Sequence, residues 1–561
     1  MAHPTSTGLG SRFLDAIEWI GNKLPDPVFI FLGCAVLVMV LSAVGSGLGW
    51  KVAVVKPTVM TQPVLDEAGA PVLAADGAPR TTIMKDETGR PRVELVETGE
   101  SLSPRSLLSS DGAYWALTNM VGNFTRFAPL GLILVCMLGI GVAEHVGLFG
   151  AILKWLGTVV PSAFLTPMIV FLGIMANIAS DAGYLVLPPL AAALYVAFGR
   201  SPLAGIAAAF SGIAAGFSAN LLVAASDAIM AGLTQPAAQI LDPAYTVNPT
   251  CNWGFMAGST VLLTLLGWGV TAWIVEPRLK RLPADQGGPA PASAAELRAQ
   301  ELSPGERRAV RWAIVAELIA LGTVFALIYF PGAPLHGVVN ADDPKSPARW
   351  AGAVVPIIFF TFLMPGLAYG FSIGALRSQK DIAKAMIQSM ASMAAVITLY
   401  FFAAQFIEYL NYSNLGRMLA FTGGTALVEA KLPGPVLLAA VVLLSLTVNM
   451  FVGSMSAKWT MLAPILVPML MMVQISPELT QVAYRVGDSV TNIVTPLNPY
   501  LIIILVAMQR YAKNAGMGNL IALMAPYSVV FGVVWTLFLV AWVYLGIPLG
   551  PAGPLHYVPP Q

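Results

Sequence analysis

The sequence has 561 residues, of which 57% are hydrophobic and 11% charged, and its mean hydropathy is +0.75. Soluble proteins average about 25% charged residues, so this composition indicates one large membrane domain rather than several soluble ones. The net charge of +1 excludes a global electrostatic attraction to nucleic acid. The three cysteines lie in or beside apolar segments, which favours neither a disulfide framework nor a cysteine metal site.

Taken in chain order, the first segment is a mixed-charge stretch at 1–26. The apolar run that follows it is too long for a signal-peptide core, so we expect a cytoplasmic N-terminus rather than a cleaved leader. A first membrane half is predicted over 27–275, with a polar insert at 51–112. Within the insert, the alternating stretch TQPVLDEAGAPVLAADGAPR could form a small β-hairpin. The remaining segments are predicted to be a polar loop, a second membrane half and a tail, at 276–311, 312–546 and 547–561.

The positions of basic residues predict the orientation, because cytoplasmic loops carry an excess of Lys and Arg. The 276–311 loop is rich in them, at Arg278, Lys280, Arg281, Arg298, Arg307, Arg308 and Arg311. This loop and the other basic loops can all be cytoplasmic only if two apolar pairs, 161–198 and 433–474, each enter and leave on one side. We therefore predict an all-α polytopic membrane protein with about nine transmembrane helices, two re-entrant helical hairpins and an insert that faces the periplasm.

The two predicted hairpins resemble each other in sequence. One contains IASDAGYLVLPPL, from Ile178, and the other contains SMSAKWTMLAPIL, from Ser454. Each is followed by an apolar segment with a polar interruption, around Asn220 in the first half and around Asn492 in the second. Because the halves have opposite orientation, they form an inverted repeat, which places a binding site near the middle of the membrane in many secondary transporters. A chance match of short Ser, Pro and Asn patterns is the alternative.

The run RVGDSVTNIVTPLNP, at 485–499, is the strongest candidate for a site. Arg485, Asp488 and Asn492 share one helix face, so Arg485 and Asp488 are predicted to form an ion pair within the membrane. Pro496 has no N–H and should leave the carbonyl of Asn492 free for an ion or a substrate. The alternative is a neutral buried ion pair that only fixes packing.

The tips of the hairpins carry further candidates. Asp181 is predicted to carry a proton or bind a cation, or else to cap a helix. Trp459 could stack on an aromatic substrate or simply pack, and Lys458 beside it is expected to extend towards water. The amides of three residues could hold Na⁺: Asn177, Asn220 and Asn492. The isolated polar residues Arg126, Glu144, His145, Glu317 and Glu408 are expected near helix ends, where interfacial placement is ordinary.

The sequence resembles the AbgT family of p-aminobenzoyl-glutamate transporters. The resemblance is carried by FLDAIEWIGNKLPDPVFIF at the start and then by SDAGYLVLPPLAAAL, GFSANLLVA, NPTCNW, SAKWTMLAPILVPML and YRVGDSVTNIVTPLNPY. It implies a homodimer in the bacterial inner membrane, with nine membrane helices and two re-entrant hairpins. It also implies uptake of a folate fragment or export of sulfonamide antimetabolites. The site positions it implies are Asp181, Ser456, Trp459, Pro477, Arg485, Asp488 and Pro496.

We therefore predict a secondary transporter without an organic cofactor, driven by protons through Asp488 or Asp181. A Na⁺-coupled dicarboxylate-type importer is the first alternative, because its family has the same arrangement of hairpins and broken helices. Alternatives of other classes are a channel, whose flux would not be coupled to a gradient, and a membrane-embedded enzyme. An enzyme would need a catalytic His or a cluster of acids, and none of the four His lies beside the hairpins.

Overall fold

The computed structural model describes residues 27–64, 72, 79–85, 93–159, 164–177, 182–289, 302–339, 348–495, 497–498 and 500–559. Eight helices in these ranges are long and apolar enough to cross a membrane. One of them, Met455–Met472, belongs to the predicted second hairpin. The predicted helical, multi-pass fold class is confirmed, and the N-terminal segment 1–26 lies outside the described residues.

The described residues of the first half contain nine helices that we number in chain order. They are α1 Pro27–Gly47, α2 Ser110–Thr125, α3 Ala128–His145, α4 Leu148–Val159, α5 Leu165–Ala176, α6 Ala182–Ala197, α7 Pro202–Phe210, α8 Ala225–Ala238 and α9 Trp253–Val270. Two single π-helical turns extend α7 and α9, at Ser211–Ala215 and Thr271–Val275, and the second leads into a short helical turn, Glu276–Leu279.

In the part of the second half that the structure describes there are ten longer helices, once a one-turn helix at Arg349–Gly352 is set aside. They are α10 Pro304–Tyr329, α11 Val354–Ile373, α12 Gln379–Ser392, α13 Ala394–Tyr412, α14 Leu415–Ala430, α15 Gly434–Asn449, α16 Met455–Met472, α17 Pro477–Val490, α18 Tyr500–Gln509 and α19 Met517–Tyr544.

Helix α10 begins eight residues earlier than the sequence indicated. Ser303 is its N-cap and accepts from the N–H of Glu306, while the Glu306 carboxylate accepts from the N–H of Ser303 at 2.8 Å. Pro304 occupies the first helical position, where its missing N–H costs nothing. This capping box therefore turns the end of the predicted 276–311 loop into the first two turns of a membrane helix.

The insert is more structured than expected and adds two small antiparallel sheets. Strand β1, Val52–Val59, pairs with β4, Val93–Leu102, and strand β2, Thr61–Pro63, pairs with β3, Thr81–Ile83. The second pairing joins the start of the stretch for which a hairpin was considered, 61–80, to the three residues that directly follow it. Buried Val54 and Val55 of β1 pack against Phe421 of α14 and Met472 of α16, so the insert is docked on the membrane helices.

Short helices occupy both predicted hairpin ranges. Helices α5 and α6 flank 178–181, which lies outside the described residues and includes Asp181. Helices α15 and α16 flank a short non-helical connection, and the ammonium of Lys458 on α16 donates to the side-chain carbonyl of Asn449 on α15. The second pair of helices is therefore tied together close to its tip.

The two predicted helix interruptions are confirmed. Segment 216–224 separates the π-helical end of α7 from α8, and segment 491–499 separates α17 from α18. These interruptions contain Asn220 and Asn492, as the sequence indicated. Backbone that leaves its helix at membrane depth has to find partners in the protein or beside water. The amide of Asn492 donates to the carbonyl of Ala214 at 3.3 Å, so the two broken helices meet directly.

Glycines allow the hairpin helices to lie directly against the broken ones. A Cβ at Gly212 would lie 2.3 Å from the carbonyl oxygen of Val170 on α5. A Cβ at Gly487 of α17 would likewise lie 2.3 Å from the carbonyl oxygen of Val442 on α15. The same contact, a hairpin backbone on a glycine of a broken helix, occurs in both halves.

We expect Gly487→Ala to destabilise the protein by about 1–3 kcal/mol, because the added methyl group meets backbone that cannot rotate away. Thermal unfolding in detergent measures the effect. Gly322→Ala on α10 is the matched control, because a Cβ there meets nothing within 4 Å. Equal melting temperatures for the two variants would show that the contact between α15 and α17 is looser than described.

Candidate functional site

The last two turns of helix α17 carry two fully buried charges. The side chains of Arg485 and Asp488 are both 0% exposed. The Arg485 guanidinium donates from Nη1 to Oδ1 of Asp227 at 2.6 Å and from Nη2 to the carbonyl oxygen of Ser218 at 2.8 Å. Arg485 therefore joins α17 to the first broken helix on both sides of Asn220.

Asp227 has a second role at the start of α8. Its Oδ2 accepts from the backbone N–H of Ala224 at 2.7 Å, where the interrupted chain becomes helical again. An acid in the first turn of a helix also interacts favourably with the helix dipole. One carboxylate thus ends the interruption and neutralises Arg485.

Asp488 pairs with a lysine from the second hairpin. Nζ of Lys458 lies 2.5 Å from Oδ1 of Asp488, and the two side chains are 1% and 0% exposed. The Tyr484 hydroxyl lies 3.1 Å from the same oxygen. The prediction of an ion pair between Arg485 and Asp488 was therefore wrong. The expectation that Lys458 extends towards water was wrong as well. Four buried charges form two separate pairs instead, so each ion is neutralised by a partner from another element.

A network of amides surrounds the second interruption. Nδ2 of Asn449 lies within 2.7–2.9 Å of three acceptors: the Asp488 carbonyl, the Thr491 hydroxyl and Oδ1 of Asn492. The carbonyl oxygen of Asn492 accepts from Nδ2 of Asn498 at 2.8 Å. The expectation that this carbonyl is free was therefore wrong, because a side chain six residues further on replaces the missing helical N–H. Pro496 lies outside the described residues.

Trp459 is buried against protein rather than open to a cavity. Its indole N–H donates to the Thr234 hydroxyl at 2.8 Å, and Thr234 donates in turn to Oε1 of Gln481 at 2.6 Å. The indole ring stacks on Tyr484 with a centroid distance of 4.5 Å. In this conformation the packing interpretation of Trp459 applies, and the ring reaches Asp488 only through Tyr484.

Several buried polar atoms near the interruptions have no partner among the residues the structure describes. They are Oδ1 of Asn177, Oγ of Ser218, both amide atoms of Asn220, Nε of Arg485 and Oδ2 of Asp488. Buried polar groups in proteins are nearly always satisfied, so these atoms are open to a hydrogen bond with water, an ion or a substrate group. Donors come from Arg485 and Asn220, and an acceptor comes from Asp488.

The other predicted site residues lie at different distances from this centre. Ser456 is in the first turn of α16, two residues before Lys458. Pro477 is the first residue of α17, about three helical turns or about 17 Å from Asp488, so it does not contact the ion pairs. Asp181 is outside the described residues.

Sequence analysis missed Asp227 and Asn449. Asp227 is the one acid between Asp181 and Asp242 in the sequence, and it follows the interruption at Asn220 by seven residues. An isolated acid in an apolar region indicates a buried partner. Asn449 offered no comparable signal, because a single Asn at the end of an apolar segment is typical of helix termini.

Broken helices that meet at buried charges, flanked by paired short helices in each half, define a class: multi-pass membrane transporters built from inverted repeats. Within that class, the chain belongs to the AbgT putative transporter family, which matches residues 12–557.

Individual relatives align with nearly the whole length of the chain. The p-aminobenzoyl-glutamate transport protein of Escherichia coli K12 is 33% identical over 552 residues, which cover 98% of each chain. The Alcanivorax borkumensis YdaH transporter, whose crystal structure has an unusual topology, is 38% identical with a TM-score of 0.78 over 94% of this chain and 100% of its own. Neisseria gonorrhoeae MtrF, whose structure illuminates a class of antimetabolite efflux pumps, is 38% identical with a TM-score of 0.80 over 97% and 100%.

We expect Asp227→Ala to lower the free energy of unfolding by about 3–5 kcal/mol, because it leaves the Arg485 charge buried without its partner. Thermal unfolding in detergent measures the loss. The double variant Asp227→Leu with Arg485→Met should recover part of it, since an apolar pair needs no counter-charge. Asp285→Ala, at an exposed acid, is the control. An Asp227→Ala protein as stable as this control would contradict the assignment.

Proposed function

We propose that the protein is a proton-driven secondary transporter that moves p-aminobenzoyl-glutamate-like folate fragments, exports sulfonamide antimetabolites, or does both. One observation carries the proposal: the buried pair of Lys458 and Asp488, with Oδ2 of Asp488 unpartnered among the described residues, where the two broken helices meet. The names of the relatives supply the substrate class.

Proton coupling would use the free oxygen of Asp488. A proton added to Oδ2 removes the negative charge that neutralises Lys458, and an unpaired ammonium in the protein interior is costly. The protonated state therefore favours a conformation in which Lys458 reaches water or another acceptor. Protonation thus changes the relative free energies of the two conformations, which is what coupling to a proton gradient requires. Asp181, at the first hairpin, is the second candidate for this role.

Substrate binding would use the donors beside the first interruption. Nε of Arg485 and Nδ2 of Asn220 are both buried and unpartnered in the described part of the chain. A carboxylate of a p-aminobenzoyl-glutamate or a sulfonyl oxygen of a sulfonamide accepts from such groups. Stacking of the substrate's aryl ring on Trp459 would require Tyr484 to move, because that ring already covers one face of the indole.

The Na⁺-coupled importer stays the alternative, and one feature favours it. Oδ1 of Asn177 and Oδ1 of Asn220 are acceptors without partners among the residues described, and amide oxygens are ligands for hard cations. Against this, Oδ1 of Asn492 already accepts from Asn449. The proposed location is the bacterial inner membrane, with the N-terminus in the cytoplasm, and the proposed assembly is a homodimer.

Reconstitution in liposomes tests the proposal. We expect flux of p-aminobenzoyl-glutamate or of a sulfonamide to follow an imposed proton gradient and to ignore a Na⁺ gradient. Asp488→Asn keeps the size of the side chain but cannot gain a proton, so its gradient-driven flux should fall at least about tenfold, whereas Glu429→Gln, at an exposed acid on α14, should not change it.

Full gradient-driven flux in Asp488→Asn would move the coupling role to Asp181 or elsewhere. Flux that follows Na⁺ alone would support the importer instead. Flux of neither compound under either gradient would overturn the proposed function.

A further inference from the structure

A lateral cleft of about 530 Å³ lies apart from the buried ion pairs. Helices α10 and α11 form one side of it, and residues of the first interruption form another. Its walls are almost entirely apolar and include four aromatic side chains: Phe149, Trp253, Trp350 and Phe362. Phe149 and Phe362 pack edge to face with centroids 6.0 Å apart, so this side of the cleft is a preformed aromatic surface. Binding sites for small organic molecules commonly have this size and lining.

Among the described residues, Glu317 is the one ionisable residue that lines the cleft. It was expected near a helix end, but the early start of α10 places it at the middle of a 26-residue helix, about 20 Å from the first residue. Its Oε2 is buried and makes no hydrogen bond to any residue in the described ranges. A carboxyl group at this depth is costly and is usually retained for binding or transport.

The cleft reaches the backbone of the first interruption. Leu222 and Val223 line it, two and three residues after Asn220. The Trp253 indole donates to the carbonyl oxygen of Leu221 at 2.7 Å and so fixes this part of the chain against the start of α9. A molecule in the cleft would therefore touch the same interrupted segment that contains Asn220 and Ser218.

The geometry points to a second binding site, for a small lipophilic aromatic compound that carries an N–H donor. The aromatic walls match a flat ring, and Glu317 supplies the acceptor for the donor. A carboxyl oxygen accepts a hydrogen bond in either protonation state, and the apolar surroundings strengthen that bond. A lipid acyl chain would make apolar contacts with the walls but would leave the Glu317 carboxyl group without a hydrogen-bond partner. The site is defined by binding and does not depend on which substrate is transported or on what drives it.

A matched pair of probes tests the donor. Bis(4-aminophenyl) sulfone carries two aromatic N–H groups, and diphenyl sulfone has the same skeleton without them. Binding to the purified full chain is measured by equilibrium dialysis, with empty detergent micelles as the blank. We expect the amine to bind at least about tenfold more tightly, and Glu317→Leu to remove that preference without weakening the binding of diphenyl sulfone.

Two further variants test whether the probes bind in the cleft. Leu222→Trp introduces a large ring from a side chain that is 53% exposed, and should weaken the binding of both probes about tenfold or more. Ile319→Trp, on α10 but outside the cleft and 64% exposed, is the control and should change neither. Glu317→Gln keeps an acceptor and should retain the preference, which allows a conclusion even if Glu317→Leu does not fold.

Three outcomes would overturn the inference. Equal binding of the two probes to the unchanged protein would mean that the cleft holds acyl chains without using Glu317. A preference for the amine that survives both Glu317→Leu and Leu222→Trp would place the site elsewhere. A Leu222→Trp protein that loses self-association but keeps probe binding would assign the cleft to a second copy of the chain.

Discussion

Four charged side chains that cannot reach water organise the centre of this protein. Arg485 and Asp488 project from α17, and their partners, Asp227 and Lys458, come from the first broken helix and the second hairpin. Each pair is neutral, and neither could lose a member without leaving a buried charge. Because the partners come from different halves of the chain, neutralising α17 also brings those halves together. The meeting point of the broken helices is thus an electrostatic requirement as much as a packing one.

The two breaks in the helical backbone create the hydrogen-bonding groups with which these side chains interact. The interruptions at 216–224 and 491–499 leave backbone carbonyls and amides without the hydrogen bonds of a continuous helix. Side chains from elsewhere in the protein supply some of these hydrogen bonds. Arg485 binds the carbonyl of Ser218, and Asn498 binds that of Asn492. Close glycine contacts at Gly212 and Gly487 bring the hairpin helices directly against the broken ones. Among the described residues, Asn220, Arg485 and Asp488 still have buried polar atoms without a partner.

Patterns that extend over many residues predicted the fold well. Apolar run lengths indicated the membrane helices, and Ser, Asn and Pro within such runs indicated both interruptions, because few other structures tolerate them there. Partner choice could not be predicted in this way. Spacing along α17 favoured a pair between Arg485 and Asp488, but the partners Asp227 and Lys458 are set by tertiary packing. Glu317 was misplaced for a local reason: the capping box at Ser303 and Glu306 lengthened its helix.

The two carboxylate oxygens of Asp227 have different partners, and this couples the position of α17 to the start of α8. Oδ1 holds Arg485, while Oδ2 holds the backbone at Ala224, where α8 begins. A displacement of α17 that pulls on the guanidinium therefore also pulls on the first turn of α8. Any sliding of α17 would thus be coupled, through one carboxylate, to the first turn of α8.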